Sequence, residues 1–228
     1  MQEETKIKWE NIEGFKPAYE EQINNWNQKL NGIYNEKLAI FNKDDIPDTK
    51  EDWKKIKLII VADNPGKKEA EQKRYLVGGA GEIARGFFRI AYNDLKINME
   101  GDVLLLNKTP IYSSNTNSLK NIYNDNKGRE ILNDTQDWMA KKIYELHQIL
   151  ECDLWIIGSG NFEKFFEKFK ETLNNVYKEN EKWERVFVFK HFSYGWFFRD
   201  FEKFEYDGIL KECLKQKGIE NREFFFGR

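Results

Sequence analysis

Leu58-Ile59-Ile60-Val61-Ala62-Asp63-Asn64-Pro65-Gly66 is the stretch from which the fold can be read. Five apolar residues in succession, with no polar alternation, are expected of a strand covered by helices on both faces, as in a parallel sheet. The polar turn that follows ends the strand. Three further runs of the same kind occur: Val103-Leu104-Leu105-Leu106, Leu154-Trp155-Ile156-Ile157 and Val186-Phe187-Val188-Phe189. Helical periodicity fills the gaps. Ile83, Phe87, Ile90, Ala91 and Leu95 share one side of a helix. Trp138, Ile143, Leu146 and Leu150 mark a long helix, and Phe162, Phe165, Phe166, Phe169 and Leu173 mark another. A last helix is predicted from about Phe201 to Leu214. Strands alternating with helices predict an α/β protein: a three-layer α/β/α arrangement around a four-stranded, mainly parallel sheet.

Upstream, Ile12, Phe15, Tyr19, Ile23, Trp26, Leu30, Tyr34, Leu38 and Phe41 recur at helical spacing, and Asn31-Gly32 predicts a break into two helices. Residues 1–50 are therefore expected to form extra N-terminal helices packed on the main unit, the 228 residues making one domain. With 40% hydrophobic and 33% charged residues, a folded chain is expected rather than a disordered one. No apolar run approaches the roughly 18 residues that span a bilayer, and the opening Met-Gln-Glu-Glu has no signal-peptide character. The expectation is a cytoplasmic monomer with no membrane association. Cys152 and Cys213 are the only cysteines. They cannot build a disulfide framework or a four-cysteine cluster, so a reducing compartment, no metal site and no cofactor are expected. The formal charge of −2 argues against coating nucleic acid by bulk charge. Residues 65–90 carry six basic and three acidic side chains, which fits either a DNA-facing patch or ordinary solvated charge.

In parallel α/β sheets the ligand sits outside the carboxyl ends of the strands. The first strand delivers Asp63, Asn64, Pro65 and Gly66 there. The second delivers Asn107, Lys108 and Thr109, and the fourth His191, Phe192 and Ser193. The third delivers only the turn Gly158-Ser159-Gly160. Singly, these are turn and cap residues. Together they bring an acid, two carboxamides and an imidazole to one rim.

On these residues the chain resembles the uracil-DNA glycosylase superfamily. Ala62-Asp63-Asn64-Pro65-Gly66 is similar to the first glycosylase motif, which reads G-E-A-P-G in one branch and G-I-N-P-G or G-M-N-P-G in others. Gly66-Lys67-Lys68-Glu69 and Tyr75-Leu76-Val77-Gly78-Gly79-Ala80-Gly81 resemble the P-G-x-x-E and P-F-V-G-x-A-G segments. Leu106-Asn107, Ile157-Gly158 and His191-Phe192-Ser193 resemble the later motifs, in order, over residues 57 to about 196. The chain departs from the pattern at Ala62, at Leu76 in the base-stacking position and at Phe192 in place of Pro, and it lacks the cysteines of the iron–sulfur branch.

The resemblance implies a base-excision enzyme that flips a nucleotide out of DNA and hydrolyses its glycosidic bond, uracil or a related deaminated base being the substrate. It implies a catalytic role for Asp63 or Asn64 in placing the water, and one for His191 in stabilising the departing base. A carboxylate would also stabilise the cationic sugar, whereas a carboxamide would only orient the water. It further implies that Asn107 reads the base edge and that Tyr75 or Leu76 covers its face. Gly66 and Ser193 would complete the base pocket. The backbone at Gly78, Gly79 and Gly81, with Lys108, would receive DNA phosphate, and Trp196 would act as an apolar wedge. Two alternatives remain open on the sequence: a glycosylase-fold protein that binds DNA or a protein partner with little or no catalysis, and a small-molecule nucleotide enzyme.

Overall fold

The computed structural model describes residues 12–114, 116–201 and 209–228. Four strands, β1 (Leu58–Ala62), β2 (Val103–Asn107), β3 (Asp153–Ile157) and β4 (Val186–Phe189), form one all-parallel sheet in the order β2-β1-β3-β4. β1 is buried along its whole length, as its unbroken apolar run requires. The chain steps from β1 outward to β2, then crosses back over β1 to β3. The order therefore reverses between β1 and β3, the place where a doubly wound sheet opens a crevice.

Helices cover both faces of the sheet. The helix α1 (Phe15–Tyr34) is continuous, and the break predicted at Asn31-Gly32 does not occur. A helical glycine costs about 1 kcal/mol, less than the burial of Leu30 and Trp26 on the same helix returns. The helix ends instead at Asn35, in the left-handed region at φ 54°. The short α2 (Lys50–Lys54), capped by Thr49, leads into β1. Beyond β1 come α3 (Lys67–Gln72) and α4 (Gly79–Ile90). The predicted helix to Leu95 is divided at Ala91 into α4 and α5 (Tyr92–Leu95). After α6 (Met99–Asp102) and β2, α7 (Lys120–Asn124) precedes the long α8 (Asn126–Ile149). The helical run after β3 is likewise split, into α9 (Phe162–Phe165) and α10 (Glu167–Val176). The short α11 (Trp196–Arg199) follows β4. The last helix, α12 (Leu210–Phe226), starts later and ends later than the sequence predicts; residues 202–208 of the predicted span lie outside the described residues. The N-terminal helix packs on α8: Trp138 stacks on Phe15 and Tyr19 and meets Trp26 edge-on at 5.6 Å, while Trp26 Nε1 donates to Asp134 at 2.8 Å.

The C-terminal end of α8 carries a buried imidazole. His147 Nε2 donates to the Cys152 carbonyl (3.0 Å), so Nδ1 accepts from the Tyr177 hydroxyl (2.6 Å) and the ring is neutral. Lys182 Nζ donates to the carbonyls of His147, Gln148 and Leu150 at 2.8–3.1 Å, satisfying the helix end. Burial, with Lys182 nearby, pushes His147 down to about 3. The unfolded chain binds this proton near pH 6.5. Stability is therefore full above that pH and is lost as pH falls from about 6.5 towards about 3, at about 1.4 kcal/mol per pH unit. Chemical denaturation of the wild type and of His147→Gln across this range should show their stability difference shrinking at that slope. A constant difference would remove His147 as its source.

Candidate functional site

A cleft of about 760 Å³ opens at the carboxyl ends of the strands, over the β1/β3 crevice. Ala62, Asp63, Asn64 and Gly66 reach it from β1, Asn161 and Lys164 from β3, and His191, Ser193, Tyr194 and Trp196 from β4. The loop from Leu76 to Gly81 and Ser113 close the remaining sides.

Asp63 and Asn64 are both buried and both line this cleft, so neither is turned away from it. They are held differently. Asp63 Oδ1 accepts from the ammonium of Lys108, and its Oδ2 accepts from Asn161 Nδ2 at 2.7 Å. The carboxylate lies flat against Gly158, where a Cβ would come within 2.2 Å of Oδ1; Gly158 also has φ +85°, so the turn after β3 requires glycine twice over. Asn64 Nδ2 donates to the Pro65 carbonyl (3.1 Å) and to Ser113 Oγ (2.8 Å). A carbonyl only accepts, which fixes the amide nitrogen on that side and leaves Oδ1 a buried acceptor without a partner among the described residues.

His191 is tied at Nδ1, which accepts from the backbone N–H of Ser193 (3.1 Å) and lies 2.6 Å from its hydroxyl. The neutral ring therefore carries its proton on Nε2, which makes no hydrogen bond to any described residue. Burial lowers the His191 pKa, Lys108 lowers it further, and Asp63 opposes both. The imidazole is thus a neutral hydrogen-bond donor at neutral pH.

The loop leading into α4 is clamped by Glu69, whose two oxygens accept from the N–H of Gly66 (2.7 Å) and of Leu76 (2.5 Å). Leu76 sits at φ 49°, rare for a residue with a side chain, and its carbonyl accepts from Arg85 at 2.6 Å. Gly81 permits this approach, because a Cβ there would lie 1.4 Å from the Leu76 oxygen.

The structure corrects three of the sequence assignments. Lys108, expected to meet DNA phosphate, is fully buried: its ammonium bonds Asp63 and the Ile157 carbonyl and lies 5.2 and 5.0 Å from the ring centres of Phe162 and Phe166. Tyr75, expected to cover the base, is buried in the core and does not line the cleft. Asn107 pairs with Ala62 at the end of β2 but is covered and also does not line the cleft; its Oδ1 has no partner among the described residues. The other assigned residues, Asp63, Asn64, Gly66, Leu76, Gly78, Gly79, Gly81, His191, Ser193 and Trp196, do line it. Ser193 spends its hydroxyl on His191, which makes it a positioning residue. Half of the six basic residues at 65–90 are paired: Arg74 with Asp45 and Glu100, Arg85 with Glu100, and Lys67 with Glu71. Trp196, the expected wedge, is half exposed under the Arg199 guanidinium (4.8 Å).

Sequence reasoning missed Asn161, three residues past the Gly158 turn, and Lys164, exposed on the cleft. It also missed Tyr194, the most exposed large aromatic on the cleft, held at φ 55°. The chain matches no protein-family model and no curated protein. What it can do is therefore argued from the cleft itself.

The Asp63–Lys108 pair has a checkable consequence. Removing one member of a buried pair strands the other charge, at a cost of about 3–5 kcal/mol. Asp63→Asn and Lys108→Met should each lose stability on that scale in urea unfolding. The double variant should lose far less than the sum of the two. Additive losses would mean that the two groups do not interact.

Proposed function

We propose that the protein is a DNA glycosylase that hydrolyses the N-glycosidic bond of uracil or a related deaminated base. The observation that carries this reading is the pairing, among the residues of one strand-end cleft, of a buried and unpartnered acceptor on Asn64 with an imidazole fixed as a neutral donor on His191. Glycoside hydrolysis through an oxocarbenium-like transition state needs these two functions: a held water and a stabilised leaving group. The motif order in the sequence supports the same reading.

In this mechanism the target nucleotide leaves the stack and its base enters the cleft. Asn64 Oδ1 accepts a hydrogen bond from the attacking water. The C1′–N bond breaks with its electrons going to the base, and His191 Nε2–H donates to the base oxygen that gathers negative charge. The water oxygen bonds to C1′, and the proton it releases ends on the base. Asp63 is paired with Lys108, which leaves Asn64 as the residue that places the water. Leu76 covers the base. Gly66 contributes no side chain beside it, so substituents at position 5 of the pyrimidine meet no wall there, which favours a broad range of deaminated or 5-substituted bases. Within the cleft, the backbone N–H groups at the start of α4 and the side chain of Lys164 take the phosphate role that Lys108 cannot. Trp196 stands at the rim as the wedge.

A second reading has one observation in its favour. With Asp63 paired to Lys108 and Glu69 holding two backbone N–H groups, the cleft has no uncommitted carboxylate among the described residues, as would suit a protein that binds DNA or a protein partner without excision. Kinetics separate the two. Asn64→Ala should lower the single-turnover excision rate on a uracil oligonucleotide by about 10²–10⁴, with DNA affinity retained. Because His191 works as a neutral donor with a lowered pKa, the wild-type rate should stay flat from pH 6.5 to 8. An imidazolium acting as a general acid would make the rate fall about tenfold per unit over that range. An unchanged rate in Asn64→Ala, or that fall, would overturn the mechanism.

A further inference from the structure

The opposite end of the sheet holds a second concave site. A cavity of about 300 Å³ lies at the amino ends of β1, β3 and β4, closed on one side by α12. Trp155, Phe187 and Leu214 contribute to its apolar walls. Its rim is strongly basic: Lys57, Lys96, Arg185, Lys211 and Lys215, against a single acidic lining residue, Asp153.

Two of these cations are already balanced. Lys57 pairs with Asp102 at 2.9 Å, and Arg185 with Asp153 at 2.9 Å and Glu151 at 3.5 Å. The other three, Lys96, Lys211 and Lys215, are exposed and make no ion pair among the described residues. Lys211 and Lys215 stand one helical turn apart on α12, and Lys96 faces the same cavity from the turn after α5. Three ammonium groups without an ion pair among the described residues, around one apolar hollow, leave a local excess of positive charge; the Lys96 ammonium lies over the Tyr92 ring, at 5.9 Å.

We propose that this cavity is a binding site for a small amphipathic anion: an apolar body seated against Trp155, Phe187 and Leu214, with a phosphate or carboxylate head held by Lys96, Lys211 and Lys215. The volume sits at the lower end of the range for small-molecule pockets, about 300–1,000 Å³. That size admits a metabolite and excludes a polymer. A nucleic-acid backbone would need cations spread along a surface rather than gathered round a hollow. The site is separate from the cleft, being at the other end of the same strands, and does not depend on the glycosylase reading.

The full chain, titrated with 1-anilinonaphthalene-8-sulfonate, an aromatic sulfonate of the proposed chemistry, tests this by fluorescence. Saturable binding is expected. The double variant Lys211→Glu/Lys215→Glu should weaken it about tenfold or more, with an unchanged thermal melt. Lys164→Glu, in the other cleft, should leave it unaltered. Competition distinguishes the head group: displacement by adenosine monophosphate alone assigns an organic phosphate, by decanoate alone a carboxylate, and by both the shared chemistry. Absence of saturable binding, equal affinity in wild type and the double variant, loss on Lys164→Glu, or displacement by neither competitor would overturn the proposal.

Discussion

A lysine ammonium sealed from water joins the ends of three strands, and the cleft is arranged around it. Lys108 follows β2, bonds the carboxylate that follows β1 and the carbonyl of the last residue of β3, and rests among the rings of Phe162 and Phe166. An unpaired charge in that position would be prohibitively costly, so Asp63 must occupy its observed place. Asp63 in turn requires glycine at 158 and recruits Asn161. The pair is electrically balanced, which limits its effect on His191: Asp63 and Lys108 pull that ring in opposite directions, and burial decides the outcome in favour of the neutral form. The donor and the acceptor of the cleft are set by their own local hydrogen bonds, to Ser193 and to Pro65 and Ser113, beside an ion pair whose balance leaves the imidazole neutral.

The sheet was legible in the sequence because burial on both faces leaves strands as unbroken apolar runs, and the four runs coincide with β1 to β4 within a residue. Cleft residues that directly follow those strands, such as Asp63, Asn64 and His191, were legible for the same reason: a strand end is a fixed address in a parallel sheet. Helix boundaries were less so. Gly32 reads as a stop but is carried through by the apolar face of α1, and the breaks at Ala91 and Phe166 fall on residues that are neither glycine nor proline and so carry no local stop signal.

Each misread site residue has its own physical cause. Lys108 has the local signature of a surface lysine; what buries it is a carboxylate 45 positions earlier in the chain, and no local pattern encodes that pairing. Tyr75 and Leu76 are neighbours, both with large, mainly apolar side chains. The left-handed backbone at Leu76, set by the Glu69 clamp, sends one into the core and the other to the cleft. Asn161 was overlooked because a Gly-Ser-Gly turn reads as punctuation, when its function is to make room for Asp63.

The central claim is that the Asn64–His191 cleft releases a base from DNA. Its most direct measurement is incubation of the wild-type protein with end-labelled oligonucleotides carrying uracil, 5-hydroxymethyluracil, hypoxanthine, xanthine or a G·T mismatch, followed by alkali and separation of the products. The account predicts strand cleavage at uracil that depends on alkali, and therefore on a prior abasic site, with 5-hydroxymethyluracil also cleaved because Gly66 leaves position 5 open. Intact strands at every lesion, under conditions where the protein binds the same DNA, would contradict it.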